Sequence, residues 1–199
     1  MVKRNRIMLE RRGAVAAILR QRGEALVVAG LGSPAWDVFA AGDSPRNFYL
    51  WGGMGGAAML GLGLAIAQPK RRVLVITGDG EMLMGLGSLA TIAAQRPPNL
   101  AVVVIDNEHY GETGMQPTHT RSGTDLAGVA QAAGFTHCTT VYSPAQLAAW
   151  TPRLCRERGP SFLVVKVKTD PVPLMLPPRD GPWLRSRFRA ALLGDDAHK

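Results

Sequence analysis

Val73-Leu74-Val75-Ile76-Thr77-Gly78-Asp79-Gly80-Glu81 is the stretch on which the fold turns. Its first five residues are apolar or β-branched with no polar alternation. That pattern predicts a strand buried on both faces, and such strands belong to parallel sheets covered by helices on each side. Downstream, the spacing predicts a helix from about Met82 to Gln95, stopped by Arg96-Pro97-Pro98. Leu100 to Ile105 is a second unbroken apolar strand. A right-handed crossover from the first to the second sets them side by side, with both tips on one edge.

Working outward, Ala25–Ala29 reads as a short strand, and Ser33-Pro34 opens a helix toward Ala41. Ile7 to Arg20 has helical spacing interrupted by Gly13. Met54 to Ala67 reads as a helix despite Gly55, Gly56, Gly61 and Gly63. Glycines in a helix cost roughly 1 kcal/mol each relative to alanine, so they imply close backbone approach. After the second apolar strand come a helix over Asp125–Ala133 ended by Gly134, a strand over His137–Val141, a helix from Ser143-Pro144 to about Arg158, and a last strand over Ser161–Val167. The expected class is α/β, a doubly wound parallel sheet with helices on both faces over residues 1–168. Residues 169–199 read as a C-terminal extension, Pro-rich and then a short amphipathic helix over Trp183–Leu193, either a frayed end or a partner contact.

A chain of 199 residues, 46% hydrophobic, suffices for one domain with a substantial core. No apolar run reaches the roughly 18 residues that span a bilayer. The N-terminus is basic, but Glu10, Arg11 and Arg12 interrupt any apolar stretch, so no export signal is read and the expected location is cytoplasmic. Cys138 and Cys155 are expected as reduced, buried thiols. The net charge of +8 is concentrated in residues 1–22, where seven basic residues face Glu10 alone. No aromatic residues interleave with them, so a solvated face or a partner-subunit contact is expected rather than nucleic acid.

Gly78-Asp79-Gly80 follows a strand and precedes a helix, the position where open parallel sheets bind ligands. The glycines let backbone N–H groups approach an anion, and the next helix start favours phosphate. Asp79 would repel a phosphate unless a cation lay between them, which suggests a metal-bridged diphosphate. Asp106-Asn107-Glu108-His109-Tyr110-Gly111 occupies the tip of the second strand, with Asn107 lying 28 positions after Asp79. A carboxylate, an amide oxygen and a backbone carbonyl form a donor set that suits magnesium.

Gly78-Asp79-Gly80 followed by Asp106-Asn107 resembles the motif of the thiamine diphosphate-dependent enzymes. Trp51-Gly52-Gly53-Met54-Gly55-Gly56 is similar to the segment that precedes it in that superfamily. The run from Asp106 to Gly114 most resembles the small catalytic subunits of sulfopyruvate decarboxylase and the related phosphonopyruvate decarboxylases. The resemblance implies that Asp79, Asn107 and the His109 carbonyl ligate magnesium. It implies that the backbone N–H groups of Gly80 and Glu81, with Gly78, Gly32 and Ser33 close by, hold the diphosphate beside Tyr110 and Gly111. Met54 would then be the apolar wedge that bends the cofactor, with the Gly52 carbonyl and Met54 N–H on the aminopyrimidine. The same resemblance implies a 2-oxo acid decarboxylase whose pyrimidine-binding partner subunit supplies an activating glutamate, in a hetero-oligomer.

Glu112, Thr113 and His119 are the candidates for contact with a small 2-oxo acid substrate, with Gly114 and Arg121 beside them. A carboxylate at Glu112 disfavours a sulfonate or phosphonate tail. His119 also reads as an exposed loop histidine, and Met54 as core packing. Trp36, Trp51 and Trp150 most simply pack. The other readings are a carboligase subunit, a non-catalytic regulatory subunit, and a nucleotide- or phosphate-binding domain in which Asn107 is coincidental.

Overall fold

The computed structural model of the chain describes residues 9–198. Ile7 and Met8, at the start of the expected first helix, lie outside the described residues, as do the basic Lys3, Arg4 and Arg6. In chain order the elements are α1 (Arg11–Leu19), β1 (Leu26–Ala29), α2 (Ser33–Ala40), β2 (Asn47–Tyr49), α3 (Ala57–Ala67), β3 (Val73–Gly78), α4 (Asp79–Met84), α5 (Ser88–Gln95) and β4 (Leu100–Asp106). They continue with the two-residue β5 (His109–Tyr110) and β6 (Gln116–Pro117), then α6 (Leu126–Ala133), β7 (His137–Val141), α7 (Pro144–Arg156), β8 (Ser161–Lys166), α8 (Gly181–Leu193) and a 3-10 turn over Gly194–His198.

The main sheet runs β2-β1-β3-β4-β8-β7, and every neighbouring pair is parallel. Alternate strand side chains enter opposite layers. Leu74, Ile76, Val103 and Leu163 face the α1, α2 and α7 side, where Val15, Ile18, Val38 and Leu154 meet them. Val73, Val75, Val102 and Val164 face the α3, α5 and α6 side, against Leu62, Ile92 and Ala130. Burial on both faces is why these strands carry unbroken aliphatic runs.

Gly61 accounts for one of the expected close approaches. A Cβ there would lie 2.2 Å from Val75 Cγ2, so α3 reaches the sheet only because that atom is missing. Two expected boundaries moved for a related reason. The helix expected over Met82–Gln95 is two helices, α4 and α5, broken around Gly85-Leu86-Gly87. The turn at Gly55 presses into the break, where a Cβ on Gly85 would stand 2.3 Å from the Gly55 carbonyl oxygen. The same turn delays α3 to Ala57, so Met54 precedes the helix expected to begin with it.

β2 was not expected, because three residues carry too little pattern to read. It is held by Asn47, which is fully buried and accepts from Arg22 while donating to the Tyr49 hydroxyl at 3.2 Å. The first helix also departs from expectation. Glu10 caps it, accepting from Arg12 N and Gly13 N at 2.7 and 2.6 Å. Arg11 and Arg12 do not form a solvated face; both turn inward onto the buried Asp37, each at 3.3 Å. Cys155 is buried, whereas Cys138, expected to be buried too, is only half-buried. Among the described residues, no helix is long and apolar enough to cross a membrane.

Candidate active site

β3 and β4 end side by side, with Gly78 paired to Ile105. Asp79 therefore opens α4 directly beside Asp106 and Asn107. A cavity of about 170 Å³ sits over these tips. It gathers Ser33, Met54, Gly78, Asp79, Gly80, Glu81, Asn107, His109, Tyr110, Gly111, Glu112 and Thr113 from segments far apart in sequence. Arg11, Leu31, Pro34 and Ile105 complete its wall.

Gly32, Gly52 and His119 lie outside this lining, as do the further candidates Gly114 and Arg121. Gly32 caps α2 at φ +74°, and a Cβ there would approach Glu112 Oε1 to 3.0 Å. Gly52 lies in the loop after β2, at φ +75°. His119 lines an adjoining depression with Leu83, Met84, Leu86 and Thr124, which shares Met54, Gly80 and Tyr110 with the main cavity.

Asp79 is 2% exposed and sits in a polar network that sequence reading did not find. Thr118 Oγ1 donates to Asp79 Oδ2 at 2.5 Å. Thr120 Oγ1 lies 2.9 Å from the Thr118 hydroxyl and donates to Asp106 Oδ1 at 2.9 Å. Lys166 at the end of β8 then meets Asp106 at 2.8 Å and Glu108 at 2.9 Å. Burial, and then the neighbouring Asp106 charge, push the Asp79 carboxyl up to about 7. A carboxylate held this way gains from an opposite charge placed against it, and a divalent cation reverses the local balance. The only sequence signal for the network was two threonines flanking His119.

The Asn107 amide oxygen accepts from His109 N at 3.0 Å, fixing the turn out of β4. The His109 ring is engaged at both nitrogens, by the Asn107 carbonyl at 2.8 Å and by Arg121 at 3.1 Å. Among the described residues no three His, Cys, Asp or Glu side chains cluster as a metal site. A cation placed here would have to combine the Asp79 carboxylate with amide and carbonyl oxygens, a hard, oxygen-only set.

Glu81 was expected to act through its backbone N–H. Its side chain has a separate task. The carboxylate accepts from Thr77 Oγ1 at 2.8 Å, Leu31 N at 3.0 Å and Ala57 N at 3.3 Å. It thus ties the loop after β1, the end of β3 and the start of α3. Burial raises its carboxyl from the usual value. Gly30 makes room, since a Cβ there would fall 1.9 Å from Glu81 Oε2. Gly80 plays the matching part on the cavity floor, where the Tyr110 ring would meet a Cβ at 2.7 Å. Met54 is 38% exposed at the cavity edge, which sets aside its reading as core packing.

Residues 33–165 match the family described as thiamine pyrophosphate enzyme, C-terminal TPP binding domain. The chain is 46% identical over 129 residues to sulfopyruvate decarboxylase subunit beta of Methanothermobacter thermautotrophicus, an alignment covering 65% of this chain and 69% of that one. It is 44% identical over 115 residues to the subunit of the same name from Methanocaldococcus jannaschii, covering 58% of this chain and 61% of that one. It is also 43% identical over 125 residues to phosphonopyruvate decarboxylase of Streptomyces hygroscopicus, covering 61% of this chain but 31% of that longer one. In architecture it is similar to benzoylformate decarboxylase from Polynucleobacter necessarius, with a TM-score of 0.68 at 21% identity, covering 87% of this chain and 36% of that one.

Proposed function

Because the chain belongs to the thiamine pyrophosphate enzymes, through their C-terminal TPP-binding domain, we propose that it is the diphosphate-binding small subunit of a magnesium-dependent 2-oxo acid decarboxylase. The observation that carries this reading is the buried Asp79 at the tip of β3, beside Asn107 at the tip of β4, in one cavity with Gly80. The residues fit a cation-bridged diphosphate in kind. Asp79 supplies the negative charge, Asn107 and the His109 carbonyl supply neutral oxygens, and the first turn of α4 at Gly80 supplies backbone N–H groups.

When bound, thiamine diphosphate supplies the nucleophilic carbanion and the electron sink for loss of carbon dioxide. The chain's own residues bind and orient it. Thr118 and Thr120 hold Asp79 toward the cation. Glu81 locks three loops so that the backbone around Gly80 is preset, which avoids reorganisation on binding. Met54 offers an apolar wall to the organic part of the cofactor. Glu112 and Thr113 stand at the mouth, where a small 2-oxo acid enters, with His119 in the adjoining depression.

A second, pyrimidine-binding chain completes the site in this reading. Two features support it. The relatives called subunit beta are named as parts of a larger assembly. The cavity of about 170 Å³ is also smaller than the roughly 300–1,000 Å³ that encloses a whole small ligand. None of the glutamates near the cavity suits the far end of the cofactor. Glu81 is consumed by its three donors, Glu108 by Lys166, and Glu112 sits at the mouth.

The test is co-purification with a candidate partner chain, followed by carbon dioxide release from pyruvate, sulfopyruvate and phosphonopyruvate with magnesium and thiamine diphosphate. The expected result is activity with the pair and little with either chain alone. Stabilisation of this chain by ATP or a sugar phosphate, with no response to thiamine diphosphate and magnesium, would overturn the reading.

A further inference from the structure

Residues 169–193 lie outside the matched region and do not hang free. Lys168 N donates to Leu9 O at 3.0 Å, joining the start of this segment to the entry into α1. Arg12 donates to Pro173 O at 2.7 Å. The same Arg12 shares the Asp37 carboxylate with Arg11, which lines the cavity. Trp51 Nε1 then donates to Pro178 O at 2.8 Å, and the Arg179 guanidinium lies over the Trp51 ring at 5.2 Å from its centroid. Beyond this, α8 is capped by Asp180 and anchored on β2. Phe188 packs edge-on to Phe48 at 5.5 Å, and Arg187 holds Asp43 and the Asn47 carbonyl.

Trp51 begins the loop that delivers Met54 to the cavity. That loop has two positive-φ glycines, Gly52 at +75° and Gly55 at +87°. Glycines in this region leave the backbone a wide choice of conformation. The far end of the loop is fixed by Gly55 against Gly85 and by Ala57 N on Glu81, and the extension grips the near end at its first residue.

We propose that residues 169–193 are a positioning strap: by holding Trp51 through Pro178 and Arg179, they set where Met54 stands against the organic part of thiamine diphosphate. This rests on the cofactor reading above. Trp51, Pro178 and Arg179 are positioning residues, acting through Met54. The diphosphate contacts at Asp79, Gly80 and Asn107 belong to other strand tips and do not depend on the strap.

That separation provides the test. Magnesium with thiamine diphosphate, and magnesium with inorganic pyrophosphate, are titrated into the purified chain and into Trp51→Phe, Arg179→Ala and Arg179→Lys. Trp51→Phe removes the donor and keeps an aromatic ring, though a smaller one. One hydrogen bond of ordinary net strength corresponds to about a fivefold change in affinity. Trp51→Phe and Arg179→Ala are expected to weaken thiamine diphosphate binding about fivefold, leave pyrophosphate binding unchanged, and keep the unfolding midpoint within a few degrees. Arg179→Lys, which retains a cation over the ring, is expected to recover part of the loss. Equal weakening of both ligands, or no change in either, overturns the strap. If the unmodified chain binds neither ligand, the cofactor reading fails first and takes the strap with it.

Discussion

Asp37 holds two arginines on one fully buried carboxylate, yet burial dominates and raises its carboxyl to about 6. The Arg11–Asp37 contact at 3.3 Å lacks hydrogen-bond geometry, so the attraction does not offset the loss of hydration. A carboxyl whose folded pKa lies above its ordinary 3.8 binds its proton more tightly when folded. Its contribution to stability is greatest below pH 3.8, falls as pH rises toward about 6, and is flat above that. Asp37→Asn should remove this decline from the pH profile of urea unfolding. It should leave the protein at least as stable at neutral pH, because the neutral amide avoids the burial of charge that Arg11 and Arg12 do not offset. At Asp79 the expectation is two-sided. Asp79→Asn removes one of two adjacent buried acids, so the metal-free protein should unfold at a higher temperature than the parent. The same variant should lose the stabilisation by magnesium and thiamine diphosphate together, read by differential scanning calorimetry. A drop in the metal-free midpoint would show that Asp79 is favourably placed without a cation.

α3 shows why glycines in one helix are not equivalent. Gly61 faces Val75 with no room for a Cβ, whereas nothing lies within 4 Å of one built on Gly63. Gly61→Ala should destabilise by about 1–3 kcal/mol through overpacking. Gly63→Ala should stabilise by up to about 1 kcal/mol through helix propensity. Chemical denaturation of the two variants decides between them, and a loss at both positions would mean that the outer face of α3 is also filled. The sequence carried the signal that this helix approaches something closely. It could not say which glycine makes the approach, because helical phase against a sheet is a tertiary property. The break between α4 and α5 has the same character: Gly85 permits it by leaving out a Cβ, and the backbone of Gly55 demands it.

Over the whole molecule, α8 covers β2, the edge strand beyond β1. Unpaired strand edges invite association with other chains, and a helix laid over one suppresses this. Phe188→Ala should cost about 3 kcal/mol, as large-to-small changes of buried aromatics do. It should also make the sedimentation coefficient depend on protein concentration. A well-behaved monomeric profile with undiminished stability would argue that α8 is dispensable to that edge.

Most of the main sheet was legible because β1, β3, β4 and β8 are buried on both faces and therefore uniformly apolar. β7 was legible through its β-branched run and the turn signals beside it. The two tips that form the candidate site were legible for the same reason, since Asp79 and Asn107 interrupt apolar runs where a sheet binds ligands. β2 was not, because its hold on the sheet comes from Asn47, Arg22 and Tyr49 rather than from periodicity. Nor were Thr118, Thr120 and Lys166, which reach Asp79 and Asp106 from other elements. Local order and burial pattern are written along the chain, and they determined the α/β class, the parallel strands and the position of the Gly78-Asp79-Gly80 motif at a strand end. The partner of each buried charge, the glycine that touches the sheet and the docking of residues 169–193 were decided by the tertiary structure alone, because each depends on which distant segments arrive at the same place.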